Sequence, residues 1–319
     1  MRLFRHHAPL PADATGAVLA LGNFDGVHRG HQTVIAAAGA VARRLGAPHG
    51  VLTFEPHPRQ IFRPDDAPFR LTPLRVKAHE LEALGVDVMF SLHFDREFAQ
   101  RTAENFVDEI LLGALRVRHV VVGYDFVFGR GRAGTVEFLQ DMGAQRGFGI
   151  DVVAAVAEGG SEIVSSTRIR EHLVAGRPAE AARLLGRAWE IDGRVEHGDA
   201  RGRTIGFPTA NVMLGEYLRP AAGVYAVRIG VEPPGTERGA TTQWHEGVAN
   251  IGTRPTVGGT DLRLEAHLFD FSGDLYGAHV RVALMEFIRP ERKFASFDEL
   301  KQQIAADAEM ARAIHAKGR

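Results

Sequence analysis

The sequence predicts an α/β domain built on a parallel sheet, followed by an antiparallel β-barrel or sandwich that ends in a helix. Three observations carry this. Over the first half, short apolar runs alternate with stretches of helical length and period, the pattern of strands joined by crossover helices. Past Gly186-Arg187 the pattern changes to strand-like segments separated by turns, with no long helix between them. Near the C-terminus, Ser296-Phe297-Asp298-Glu299 is a capping-box pattern that opens a final helix. A length of 319 residues also favours two cores over one, and the division is placed at 1–186 and 187–319. The first domain is Rossmann-like.

Composition excludes several partners. Lysine and arginine (38) nearly balance aspartate and glutamate (39), so no broad electrostatic field points to nucleic acid or a membrane surface. The lack of cysteine excludes disulfides, thiolate metal sites and cysteine nucleophiles, and fits a reducing compartment. The start of the chain, Met1-Arg2-Leu3-Phe4-Arg5-His6-His7, leads to Pro9 and Pro11 and is unlike a signal peptide. No apolar run approaches the roughly 18 residues of a membrane span. A cytoplasmic protein is the expectation.

The first domain is organised around Leu21-Gly22-Asn23-Phe24-Asp25-Gly26-Val27-His28-Arg29-Gly30-His31, which follows the apolar run Ala17 to Leu21. It reads as strand, tight loop and helix start. Glycines let the backbone approach a ligand, and the N–H groups of a helix start attract phosphate. His28 and His31 are three residues apart, so if the helix begins here both project from its first turn toward that phosphate; on the residues alone the pair is equally a surface pair or a metal site. A helix then covers Gln32 to Leu45 and stops at Gly46, and Gly50 to Phe54 is a buried strand.

Glu55-Pro56-His57-Pro58-Arg59 cannot extend that strand, because its prolines remove donors and fix the backbone. A loop at a strand end is where open α/β sheets place binding residues. Thr72-Pro73 offers an N-cap and first helical residue for a helix through Leu84, Val86 to Phe94 is a strand, and Glu97 to Leu115 has helical apolar spacing. The strand His119 to Val122 delivers Gly123-Tyr124-Asp125-Phe126-Val127-Phe128-Gly129, an aromatic glycine loop suited to a flat ring or to packing. Thr135 to Arg146 is a helix and Ile150 to Val156 a strand. In Val164-Ser165-Ser166-Thr167-Arg168-Ile169-Arg170 either serine can cap the helix that follows. Leu173 to Leu185 reads as two short helices broken at Gly176 and Pro178.

In the second half, strands are expected over Trp189–Val195, Val224–Ile229, Gly247–Ile251, Leu262–Phe269 and Val280–Phe287. Gly202-Arg203-Thr204-Ile205-Gly206-Phe207-Pro208-Thr209-Ala210-Asn211 is either a turn entering a strand or a phosphate cradle whose hydroxyl and amide hold a hard cation. Glu265 alternates with Leu264, Ala266 and Leu268. It is either polar-face decoration or a carboxylate placed to take a proton. The segment 232–246 reads as a surface turn without recognisable chemistry.

The string Gly-Asn-Phe-Asp-Gly-Val-His-x-Gly-His resembles the signature of nucleotidylyltransferases, in the wording of the adenylyltransferase half of bacterial bifunctional riboflavin kinase/FAD synthetases. Ser165-Ser166-Thr167-x-Ile169-Arg170 is similar to that family's second motif, and Gly206-Phe207-Pro208-Thr209-Ala210-Asn211 to the signature of riboflavin kinases. Gly223–Val227, Asn250–Thr256 and Leu264–Phe271 also match in order, so the resemblance spans about Val18 to about Ala311. It implies a nucleotidylyltransferase domain, then a β-barrel kinase domain. The implied activity is ATP-dependent phosphorylation of riboflavin to FMN, followed by adenylylation of FMN to FAD.

The resemblance also implies roles. His28 and His31 stabilise charge on the α-phosphate of ATP. Gly22, Asn23, Phe24, Gly30, Ser166, Thr167 and Arg168 bind ATP in the first domain, and Gly202, Arg203 and Gly206 bind it in the second. His57, Asp125, Asn250, Arg254 and Thr256 contact flavin; Tyr124 is less typical of the family. Thr209 and Asn211 hold magnesium, and Glu265 is the general base. ATP, riboflavin and FMN are the expected small-molecule partners, and a homo-oligomer is left open. Adenylylation of a different phosphorylated acceptor, or a flavin-binding sensor without turnover, are the competing readings.

Overall fold

The computed structural model describes residues 1–7, 9–159, 162–197, 207–232, 242–256 and 259–317, with the backbone alone at 162, 254–256 and 259–261. The chain divides into two compact units: Met1–Asp66 with Thr72–Ser165, and Ala67–Leu71 with Ser166–Arg319.

In the first unit, β1 (Arg2–Phe4) and β2 (Val18–Leu21) precede α1 (Arg29–Leu45), β3 (His49–Glu55), α2 (Pro58–Phe62), α3 (Leu74–Ala83) and β4 (Val88–His93). A single turn, α4 (Ala103–Asn105), continues as a π-helix (Phe106–Ala114), and β5 (His119–Gly123), α5 (Val136–Arg146) and β6 (Gly149–Val153) follow. A hairpin of β7 (Ala157–Glu158) and β8 (Glu162–Ile163) ends the unit. The main sheet is parallel, in the order β1-β4-β3-β2-β5-β6.

Alternation along β2 sends Leu19 and Leu21 to the side of the π-helix and α5, and Val18 and Ala20 to the side of α1 and α3. Both faces are therefore covered, as an apolar parallel strand requires. The chain leaves β2 toward β3 on one side and leaves β5 toward β6 on the other. That reversal is a topological switch point, and the loops after β2 and β5 lie at the carboxyl ends where such sheets bind ligands.

Several expectations need correction. Thr72 is not the cap of α3: Pro73 takes that position, and Thr72 is engaged with Asp25 and Gly26. The single helix expected over 97–115 is interrupted, because Arg101 is extended and Thr102 accepts the Asn105 N–H to start a new helix. The loop 55–59 has a cis Glu55–Pro56 bond and turns at Pro58 into α2.

In the second unit, α6 (Ser166–Val174) and α7 (Pro178–Leu185) precede β9 (Trp189–Arg194), β10 (Ala210–Met213), β11 (Gly223–Glu232), β12 (Gln243–Thr256), β13 (Gly259–Leu268) and β14 (His279–Pro290). The final helix is α8 (Phe297–Lys317), with Ser296 Oγ accepting the Glu299 N–H as the capping-box pattern predicts. The strands form one antiparallel sheet in the order β10-β13-β12-β11-β14-β9. An isolated bridge between Glu196 and Asn211 brings its two edges together, leaving a nearly closed barrel.

Residues 67–71 are held to this unit by the backbone of Arg70, which bonds Glu216 and Leu218, and by the Trp189 indole, which donates to the Leu71 carbonyl at 2.9 Å. Helix α8 sets Ala308 and Ala311 against Val224, Ala226, Val248 and Phe269. Asp307 on the same helix receives a bidentate contact from Arg289, with Nε and Nη2 donating at 2.9 and 2.6 Å.

Candidate functional site

The turn after β2 is built from backbone that most side chains avoid. Phe24 has φ +48°, Gly26 +94° and Val27 +42°. Positive φ at phenylalanine and at β-branched valine persists only where the surroundings hold it, and such strain concentrates at functional sites. Polar contacts from Thr72, from β3 and from α3 hold it here. Asp25 accepts the Thr72 N–H at 3.0 Å, and the Gly26 N–H donates to Thr72 Oγ1 at 2.8 Å. Lys77 Nζ donates to the Asn23 carbonyl at 2.8 Å, and Thr53 Oγ1 donates to the same oxygen at 3.1 Å. Gly22 leaves room for the Phe24 ring, which a Cβ at position 22 would meet at 3.1 Å.

His28 is the N-cap of α1, outside the helix proper, while His31 lies in its first turn. The expectation that both project from the helix is adjusted accordingly. Nδ1 of His28 accepts the His31 N–H at 3.3 Å, which in the neutral ring assigns the proton to Nε2 and makes that atom a donor. The two imidazoles stack with centroids 3.5 Å apart, and the edge of Phe24 abuts His31 at 5.2 Å. His28 is only 6% exposed. Paired imidazoles at a helix start are suited to hydrogen-bond an anion there.

His57 caps α2: its Nδ1 accepts the Arg59 N–H at 3.1 Å, while Gln60 reaches back to the His57 N–H at 3.0 Å. Asp125 is exposed on the loop after β5. In that loop Phe126 and Phe128 stack at 5.5 Å, and Phe128 continues to Phe106 at the same separation. The loop thus packs aromatic rings and presents its carboxylate. Ser166, Thr167 and Arg168 form the first turn of α6 in the second unit, with Arg168 paired to Glu171 at 2.9 Å on the surface.

In the barrel, strand register collects residues that the sequence keeps apart. Asn211 of β10 pairs with Glu265 of β13, and Glu265 pairs with Asn250 of β12. Directly paired residues share a face, so the three form one row across adjacent strands. Their neighbours Ala210, Val212, Leu264, Ala266, Ala249 and Ile251 point to the opposite face and are buried; within the row Asn211 is itself buried, and Glu265 and Asn250 are half-buried. Asn211 Nδ2 leans toward the Thr209 carbonyl at 3.4 Å, and the Asn250 amide donates to Glu291 at 3.2 Å. His267, two residues past Glu265 on the same face, bonds the Pro208 carbonyl at 2.8 Å and meets Phe207 edge-on. It docks the Phe-Pro-Thr segment beside Glu265. Gly202, Arg203 and Gly206 lie outside the described residues, and Arg254 and Thr256 are described in backbone only, near the end of β12.

A FAD synthetase family model matches residues 10–168 and a riboflavin kinase family model matches residues 185–315. The bifunctional riboflavin kinase/FMN adenylyltransferase of Escherichia coli (strain K12) is 47% identical over 313 residues, covering 98% of this chain and 97% of that protein. The chain belongs to the bifunctional riboflavin kinase/FMN adenylyltransferase family. Members with the same description from Pseudomonas fluorescens and Bacillus subtilis (strain 168) are 43% and 39% identical, covering 99% and 96% of this chain and 98% and 94% of their own. A crystal structure described as a macrolide-efflux protein from Streptococcus pneumoniae has a TM-score of 0.84 at 32% identity, covering 98% of both chains. Among the described residues, no helix of the present family member is long and apolar enough to cross a membrane.

Sequence reading named Thr72 only as a helix cap and gave no role to Thr53 and Lys77, though all three support the first turn, nor to His267, which supports the row. His267 carried one signal, its two-residue spacing from Glu265 in a strand. The other three are linked to the turn only by the fold.

Proposed function

We propose that this family member phosphorylates riboflavin to FMN with residues 187–319 and adenylylates FMN to FAD with residues 1–186. The observation that carries the reading is the pairing, in one chain, of a histidine-capped turn at a sheet switch point with a Glu265–Asn211 row beside a docked Phe-Pro-Thr segment.

In the kinase step, the riboflavin 5′-hydroxyl oxygen attacks the γ-phosphorus of ATP and passes its proton to Glu265. The bond to the β,γ-bridging oxygen breaks and ADP leaves. Positioning and charge neutralisation supply most of such a rate enhancement. The hydroxyl of Thr209, the amide of Asn211 and the neighbouring carboxylate are the hard oxygen donors that suit magnesium, and Thr209 with Asn211 would hold it. When bound, the ion supplies positive charge against the ATP phosphates.

In the adenylyl step, a phosphate oxygen of FMN attacks the α-phosphorus of a second ATP, the bond to the α,β-bridging oxygen breaks, and pyrophosphate leaves. Phosphate is already nucleophilic, so no strong base is required. His28 Nε2 and His31 donate hydrogen bonds to the charge on the α-phosphate. Ser166, Thr167 and Arg168 are assigned to ATP by their sequence motif, and His57 and Asp125 to flavin on the same ground. A cysteine-free chain fits work in the cytoplasm.

The test is a time course with riboflavin, ATP and magnesium. FMN should rise first with release of ADP, then decline as FAD and pyrophosphate accumulate. Tight flavin binding with release of neither ADP nor pyrophosphate would replace both enzymes with a sensor.

A further inference from the structure

Lys77 lies on α3, outside every signature used above, yet its side chain is fully buried, at 0% exposure. Burying a lysine with nothing to donate to is costly, so its contacts indicate what the burial serves. Nζ donates to the Asn23 carbonyl at 2.8 Å and to Thr53 Oγ1 at 3.3 Å. Thr53, also fully buried, donates in turn to the Asn23 carbonyl at 3.1 Å. The three atoms close a triangle around one backbone oxygen.

That oxygen belongs to the peptide joining Asn23 to Phe24, which is trans, since the only cis bond among the described residues is Glu55–Pro56. In a planar trans peptide the C=O and N–H point in opposite directions. Two donors drawing the Asn23 carbonyl toward Lys77 and Thr53 therefore turn the Phe24 N–H away from them. This N–H meets no acceptor among the described residues. The positive φ of Phe24 is the conformation in which the turn accepts this orientation.

We propose that Lys77 is a positioning residue for adenylyl transfer: acting through the Asn23 carbonyl, it aims the Phe24 N–H at the polyphosphate of ATP, with Thr53 as its second anchor. This rests on the assignment of the turn to ATP. Lys77 itself touches no substrate.

The experiment compares wild type, Lys77→Met, Thr53→Val and Thr53→Ser in full-length chains, measuring FAD formation from supplied FMN and FMN formation from riboflavin separately. Lys77→Met keeps the aliphatic stem and removes only the donor. Its kcat for FAD formation should fall about 10- to 100-fold, the scale of a lost hydrogen bond to a buried group, with KM for FMN and the kinase rate within about twofold of wild type. Thr53→Val should show a smaller loss of the same kind, and Thr53→Ser, which keeps the hydroxyl, should restore it. A folded Lys77→Met with wild-type kcat overturns the proposal. Should Lys77→Met fail to fold, the threonine pair decides: a loss in Val rescued by Ser supports the proposal, and equal rates in the two overturn it. Wild-type chain that makes no FAD removes the assignment of the turn itself, which sets that failure apart from a failure of Lys77 alone.

Discussion

An alanine methyl at position 30 would stand 3.2 Å from Cε1 and Nδ1 of the His28 ring, inside ordinary van der Waals distance. The ring is held by stacking on His31 and by the His31 N–H, so making room shifts it by a few tenths of an ångström against both contacts. Gly30→Ala should therefore lower FAD formation from FMN by about 10- to 100-fold, the cost of moving a reacting geometry by a fraction of an ångström to an ångström, and leave riboflavin phosphorylation unchanged. Assaying the two half-reactions separately checks this, and an unaltered adenylyl rate would mean that the His28 ring position does not matter. His28, Gly30 and His31 were legible in the sequence because their interactions close within one turn. Asp25 was quoted there only as part of the string, and its burial against Thr72 could not be read, because the partners are 47 positions apart.

Strand β12 starts at Gln243, inside the 232–246 segment read as a surface turn, and runs to Thr256, well past the expected Gly247–Ile251, because its backbone pairs with β11 and β13. Helices with a continuous apolar period were read with good boundaries: α1 ends at Gly46 in the left-handed conformation, and α5 starts on its Thr135 cap. Elements decided by long-range contacts were not. Strand β1 is too short to carry a period and exists by pairing with β4, and β10 follows a proline and is fixed by its pairing with β13. The break at Thr102 hid inside an apolar repeat that suits either one helix or two.

The π-helix of residues 106–114 is tied to α5 by Asp108, whose carboxylate receives Nε and Nη2 of Arg146 at 3.0 and 3.2 Å. That hydrogen bonding holds the Asp108 carboxyl below its ordinary value of 3.8, so its stabilising contribution is present above that value and is lost as pH falls through the lower folded-state value. Asp108→Asn should thus lower the urea midpoint slightly at pH 7, less so at high salt, and the gap to wild type should close as the solution is taken well below 3.8. Paired urea titrations at the two pH values measure it. A gap that persists in acid would assign the effect to packing.

At the scale of the whole chain, the change of period near residue 187 foretold two architectures, and both are present. The sequence left barrel or sandwich open on the residues alone, because alternation shows which face of a strand is buried and not whether the sheet closes. Among the described residues, closure is made by the Glu196–Asn211 bridge, which joins the two edges of the sheet. The register of β10 on β13, in turn, brings the end of the Phe-Pro-Thr-Ala-Asn signature alongside Glu265. The barrel's chemistry is therefore a property of register, whereas the first unit's is a property of one turn.

Two reactions at two separate places is the central claim, and crossed single substitutions test it most directly. Full-length His28→Ala and Glu265→Ala are each given riboflavin with ATP and magnesium, and separately FMN with ATP and magnesium, and FMN and FAD are followed through time. His28→Ala should accumulate FMN from riboflavin and make little FAD from either start, while Glu265→Ala should make FAD from FMN at the wild-type rate and nothing from riboflavin. If both folded variants lose both reactions, the two activities do not reside at separate sites.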